Sequence, residues 1–178
     1  MLDTVLFTLS EVRNEKRLRM EAAELKEWQQ KLTDIVMEQE ETKETRKVNW
    51  VYDVIGNSGK TFWAEFMDST EEAFVTTNGK TADIAYAIKR PRHVILDLTR
   101  SQAEYFNYSV IEAIKNGRLF STKYEAKMKV IKVPTVTILA NQAPDRTKLS
   151  QDRWNVLQIV DGVMSKIRLS MNFHCKFS

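Results

Sequence analysis

The run Asp53-Val-Ile-Gly-Asn-Ser-Gly-Lys-Thr61 gathers the residue types best suited to holding an anion. Gly56 and Gly59 let a backbone wrap closely around a phosphate. Successive N–H groups across Asn57 and Ser58, with the start of a following helix, supply partial positive charge. Lys60 would reach the outer phosphates of a nucleoside triphosphate, and the Thr61 hydroxyl would help to hold Mg²⁺. A β-rich stretch, 48–53, precedes the run and a helical one, 61–67, continues from it, which is the strand–loop–helix setting such a loop needs. The fit to G-x-x-x-x-G-K-[ST] is incomplete: Val54 stands where the first glycine belongs, and Gly56 comes later.

Two further strand ends could serve the same chemistry. Val94-Ile-Leu-Asp97 reads as a buried strand ending in a carboxylate, which would complete a Mg²⁺ shell opposite Thr61 through a bound water. Leu98 follows Asp97, so no adjacent carboxylate can orient an attacking water, and Glu104 and Glu112 are only remote candidates for that base. Thr135-Val-Thr-Ile-Leu-Ala-Asn141 is an apolar strand ending in an amide. Asn141 is either a turn residue before Pro144 or a hydrogen-bonding partner for a phosphate or the lytic water. In Ser150-Gln-Asp-Arg-Trp154, Arg153 is either half of a surface ion pair or a guanidinium offered to a neighbouring subunit.

The elements that must position these residues alternate between strand and helix. Strands are expected at 48–53, 73–77, 93–98 and 135–140, with helices at 61–67, 80–88 and 102–116, the last closed by Gly117. Residues 119–133 read as a β-hairpin. This order argues for an α/β fold with a mainly parallel central sheet. Upstream, 10–47 lacks Gly and Pro and is rich in helix formers, with Ser10 placed to cap its start. Leu18, Leu25, Trp28, Leu32 and Ile35 form one apolar stripe along it, expected to seek another helix or another subunit. The chain divides into a helical oligomerisation segment at 1–47, a core at 48–160 and a tail at 161–178.

Composition narrows the classes. The formal net charge of +3 is concentrated in 115–132, where Lys115, Arg118, Lys123, Lys127, Lys129 and Lys132 face one acid, Glu125. That strip is either a solvated hairpin or the place where a polyanion is held. Apolar runs are too short to span a bilayer, and the opening ten residues lack the basic leader of a secretory signal. The single cysteine, Cys175, can form no internal disulfide, which points to a reducing compartment. His93 opens an apolar run as a strand-end residue and His174 lies in the tail, so a paired-histidine metal site is not expected.

Taken in order, the segments 25–30, Trp50–Thr61, Val94–Ser101, Tyr105–Tyr124, Ala140-Asn141 and Asp152–Trp154 resemble the superfamily 3 helicase domain of replication-initiator (Rep) proteins of small circular single-stranded DNA viruses. The likeness is to the nanovirus and alphasatellite type, and it covers most of the chain. It implies a P-loop NTPase (AAA+-like) core, a hexameric ring, and ATP- and Mg²⁺-dependent movement along single-stranded DNA during viral rolling-circle replication in the host nucleus. By the same resemblance, Gly56, Asn57, Ser58, Gly59, Lys60 and Thr61 form the phosphate loop, Thr61 and Asp97 hold the metal, and Asn141 is the sensor. Arg153 becomes the finger reaching across subunits, Lys123, Lys127 and Lys129 face the ring's channel, and the Trp28 helix joins an oligomerisation bundle.

The nicking endonuclease that begins full-length relatives is not expected in this chain, because no His precedes position 93. The alternatives are a catalytically idle nucleotide-binding module that assembles with a full-length initiator, and an RNA helicase of a related virus, which would act in the cytoplasm.

Overall fold

A strand covered on both faces shows no alternation of apolar and polar residues, and the chain places several such runs in the middle of one sheet. The computed structural model describes residues 14–71, 73–122 and 126–168. Its strands are β1 (Val48–Tyr52), β2 (Ala73–Thr76), β3 (His93–Asp97), β4 (Arg118–Ser121), β5 (Lys127–Val130), β6 (Thr135–Ala140), β7 (Trp154–Val160) and β8 (Val163–Lys166). Six of them form a sheet of order β2-β3-β6-β1-β7-β8, while β4 and β5 pair as a separate antiparallel hairpin. Every contact in the large sheet is parallel except β7 with β8. All residues of β1 and β6 are buried.

The helices are α1 (14–21), α2 (Glu27–Glu41), α3 (Lys60–Thr70), α4 (Thr81–Ala87), α5 (Arg100–Ala103) and α6 (Tyr108–Lys115). Successive strand residues point to opposite faces, so each strand feeds two cores. Trp50, Leu96, Ile138 and Val156 pack with Ile84 of α4 and with Ile111 and Ile114 of α6. Val51, Ile95, Leu139 and Leu157 pack with Trp28, Leu32 and Val36 of α2 and with Trp63 and Met67 of α3.

Three expectations are corrected here. The helix expected over 10–47 is broken at 22–26. At the break, the Gln29 side chain turns back to accept the Lys26 N–H at 2.9 Å, a local cap that outcompetes helix continuation. Ser10 lies outside the described residues. The stripe of this helix does not wait for another subunit either. Trp28, Leu32 and Val36 are at most 1% exposed against the chain's own sheet, and burial of Leu32 or Val36 contributes roughly 1.5–3 kcal/mol each. Leu18, placed on the same stripe, is 63% exposed.

The helix expected over 102–116 is likewise two helices, α5 and α6. Asn107 holds the break: its N–H donates to Asn78 Oδ1 at 3.2 Å and its side-chain amide to Gly79 O at 3.1 Å. The turn inserts Phe106 edge-on against Trp50 and stacks Tyr108 on the same ring, with centroids 5.7 and 6.0 Å away. Gly117 ends α6 at φ +64°, and a Cβ there would meet Ile131 O at 2.8 Å, so only glycine fits.

Beyond β7, where nothing had been matched to a known pattern, Asp161 and Gly162 turn the chain at φ +49° and +79° into β8. His174 and Cys175 lie outside the described residues. Among the described residues, no helix is long and apolar enough to cross a membrane.

Candidate functional site

The phosphate-type loop begins where β1 ends. Asp53 N–H still donates to Ala140 O at 3.3 Å, and its carboxylate then accepts the Ile55 N–H at 3.0 Å, which turns the chain. Gly56, Asn57 and Gly59 follow at φ +93°, +62° and +95°. This left-handed path wraps the backbone and delivers Gly59 as the N-cap of α3. The first-turn N–H groups of α3 have no intrahelical partner and face the cleft.

Strand order then assembles the site. β3, β6 and β1 are neighbours, so Asp97, Asn141 and the loop after β1 all emerge at the same carboxyl edge. Lys60 is 8% exposed, and its ammonium donates to Asn141 Oδ1 at 3.2 Å and lies 3.8 Å from Asp53 Oδ2. The Thr61 hydroxyl donates to Asp97 Oδ2 at 2.7 Å. Residues 57–61, 97–99 and Asn141 line a cleft of about 320 Å³, and Gly56 does not. Glu104 and Glu112 do not line it.

Burial pulls the Lys60 ammonium below the usual lysine range, opposed by Asp53 and Asp97. Burial pushes Asp53 up, but hydrogen bonding from Gly56 and the charge of Lys60 outweigh it and hold the carboxyl below its ordinary value. The buried Ser58 hydroxyl also stabilises the Asp53 carboxylate and helps to hold it below its ordinary value. Thr61 and Asp97 present the hard oxygen ligands that Mg²⁺ takes beside phosphate. These residues fit both a triphosphate and its metal.

Local pattern reading missed the brace behind the loop. Lys26 Nζ and Trp28 Nε1 both donate to Ser58 O, at 3.0 and 3.3 Å, and Gln29 Nε2 donates to Gly59 O at 2.9 Å. The segment 25–30, assigned to subunit contacts, thus fixes the outer carbonyls of the loop. Gln29→Ala is expected to lower stability by about 1–2 kcal/mol, read from urea denaturation. It should also weaken phosphate binding. An unchanged midpoint would show that the brace carries no load.

The remaining assigned residues are not gathered at the cleft. Lys123 lies outside the described residues, and Lys127 sits in β5. Lys129 was expected to face a channel. Its ammonium instead donates to Ala85 O and Ile88 O at 3.0 and 3.1 Å, and to Tyr86 O, capping the carboxyl end of α4. Arg153 precedes β7, whose Trp154 pairs with Val48 at the start of β1. It therefore lies at the edge of the sheet opposite the loop, about 13 Å away along the strand, beyond reach of its own chain's cleft. The surface pair expected between Asp152 and Arg153 is replaced by Arg46 with Asp152 at 2.7 Å, and Arg153 Nε is buried without a partner. His93 is 1% exposed and bonds Thr135 Oγ1 at 2.7 Å, a structural residue at the start of β3.

Beside Arg153, the Lys115 ammonium donates to Thr45 O and, at 3.4 Å, to Pro134 O. Burial, then the charge of Arg153, pulls its pKa to about 7. The unfolded chain binds a proton there up to near pH 10, so stability should rise with pH from about 7 toward 10. Lys115→Met is expected to flatten that rise in melts recorded across the range. A rise of the same steepness in the variant would assign the dependence elsewhere.

These elements make a mixed α/β chain with a mainly parallel central sheet, compatible with a P-loop-like core. The chain is homologous to the replication proteins of nanoviruses and alphasatellites. It is 40% identical over 146 residues to the master replication protein of subterranean clover stunt virus, covering 82% of this chain and 51% of that protein. It is 38% identical over 150 residues to that of faba bean necrotic yellows virus, covering 82% and 51%. With the Para-Rep C9 protein of a faba bean necrotic yellows alphasatellite it shares 36% identity over 133 residues, covering 73% and 46%. The chain spans about half the length of the curated relatives it matches. No family model matches it.

Proposed function

We propose that this chain is an ATP-hydrolysing motor that moves along single-stranded nucleic acid during viral rolling-circle DNA replication in the host nucleus. One observation carries the reading: Lys60 with Asn141 and Thr61 with Asp97 converge at the carboxyl edge of adjacent parallel strands, beside a loop wound by residues at positive φ. On this reading the loop amides and Lys60 bind the phosphates, and Thr61, with Asp97 through a water, holds Mg²⁺. Held by Thr61 and Asp97, Mg²⁺ would supply charge neutralisation for the phosphoryl oxygens. Asn141, fixed by Lys60, orients the attacking water.

Because Arg153 emerges at the far edge, it can serve only a neighbouring copy, which favours a ring in which each cleft is completed across an interface. The partners are further copies of this chain, in a hexamer, and a full-length replication initiator. Its polymer is DNA, given the replication proteins it resembles. With Lys129 committed to α4, contact with the phosphate backbone falls to the rest of the basic strip, and backbone tracking needs no base reading.

A second reading, a nucleotide-binding module without turnover, is favoured by one observation: Leu98, buried at 3%, stands where a second carboxylate would activate water. Phosphate release measured with Mg²⁺ and ATP, with and without single-stranded DNA, separates the two. Strand-stimulated release supports the motor. Binding without release supports the idle module.

A further inference from the structure

One cation at the cleft has no role in the reading above. Arg100 opens α5, whose cap is a reciprocal pair between Thr99 and Gln102, and Gln102 in turn receives the Thr77 hydroxyl. This double tether fixes the Arg100 backbone just beyond the strand that ends in Asp97. The exposed guanidinium reaches back across the sheet edge, where Nη2 donates to the Ile55 carbonyl of the phosphate loop. Among the described residues no carboxylate lies within ion-pair distance of it, whereas Lys60 has Asp53 at 3.8 Å.

The displaced glycine of the loop finds its reason here. A Cβ on Gly56 would stand 2.9 Å from Arg100 Nη2 and 3.8 Å from Asn141 Oδ1. Gly56 is demanded by its φ of +93°, and the absence of a Cβ there lets the guanidinium lie across it. Val54, where the usual pattern has glycine, is 57% exposed and meets no such crowding. The same geometry puts the guanidinium on the side of the loop that carries Asn141, and through Asn141 the Lys60 ammonium. Asp53 and Asp97 both act on Lys60, whereas among the described residues the Arg100 guanidinium has only a carbonyl as its partner. A carbonyl uses one N–H of a guanidinium, whereas a phosphate takes its planar fork two N–H groups at a time.

We propose that Arg100 is a second phosphate-binding cation of the same chain's cleft. It exchanges Ile55 O for the terminal phosphate of a nucleoside triphosphate and so makes the site prefer triphosphate to diphosphate. The inference rests on the nucleotide reading above and extends it. Arg100 serves its own chain, unlike Arg153, and needs no neighbouring subunit.

Titration calorimetry with Mg²⁺, using adenylyl imidodiphosphate and ADP on the wild type, Arg100→Ala and Arg100→Lys, tests it. Arg100→Ala is expected to weaken the triphosphate analogue roughly 10- to 100-fold, the worth of hydrogen bonds to a charged group. ADP affinity should stay unchanged, and Arg100→Lys, which keeps the charge but not the fork, should fall between. Equal weakening of both nucleotides, or none of either, would overturn the assignment while leaving the nucleotide reading in place. A wild type that takes up neither nucleotide would overturn the reading and the inference together. A melting temperature matched to the wild type excludes loss of fold as the source of any difference.

Discussion

Lys60→Ala is expected to lower phosphate release by roughly 10²- to 10³-fold or more, the loss that follows removal of one preorganised group facing transition-state charge. Lys60 is the only described cation both buried against the loop and bonded to Asn141, so no neighbour can substitute for it. The fold should survive. Asp53 loses its nearby charge but keeps the Ile55 N–H, and the protein is relieved of an ammonium that burial already disfavours. Lys60→Met, which restores the apolar stem, should match Ala in activity and exceed it in melting temperature. Turnover near the wild-type rate in either variant would remove the loop from the chemistry.

Asp97→Asn should cost roughly 10²-fold in Mg²⁺-dependent turnover while sparing nucleotide binding measured without metal. The amide oxygen can still accept the Thr61 hydroxyl bond now seen at 2.7 Å, so the loop keeps its geometry and only the charge is lost. The readout is the Mg²⁺ concentration giving half-maximal release, expected to rise steeply. If that concentration is unchanged, Asp97 is no part of the metal site. The two variants thus separate phosphate binding from metal binding at positions on either side of β6.

Most of the strand framework was legible locally. Val94–Leu96 is an unbroken apolar run and Thr135–Ala140 is interrupted only by threonines, because both faces of each strand are covered, and they emerged as β3 and β6 within a residue of expectation. Lys60, Thr61, Asp97 and Asn141 could be named because loop composition and strand ends are short-range signals. The strands β7 and β8 both escaped notice; the exposed residues of β8 carry no period of burial to read.

What the chain does with its long side chains is decided only by the folded state. Gln29 finds Gly59 thirty residues on, and Arg100 finds Ile55 forty-five residues back. Lys129 caps a helix forty-one to forty-four residues away instead of standing free. No local period encodes a hydrogen bond across such separations, because its partner is chosen by which strands lie side by side. The amino-acid order by itself settled that a parallel sheet would form and that a loop fit for phosphate would follow its first strand. Strand order then settled which side chains surround that loop, because only the pairing of β1 with β6 and of β6 with β3 brings the three strand ends to one edge.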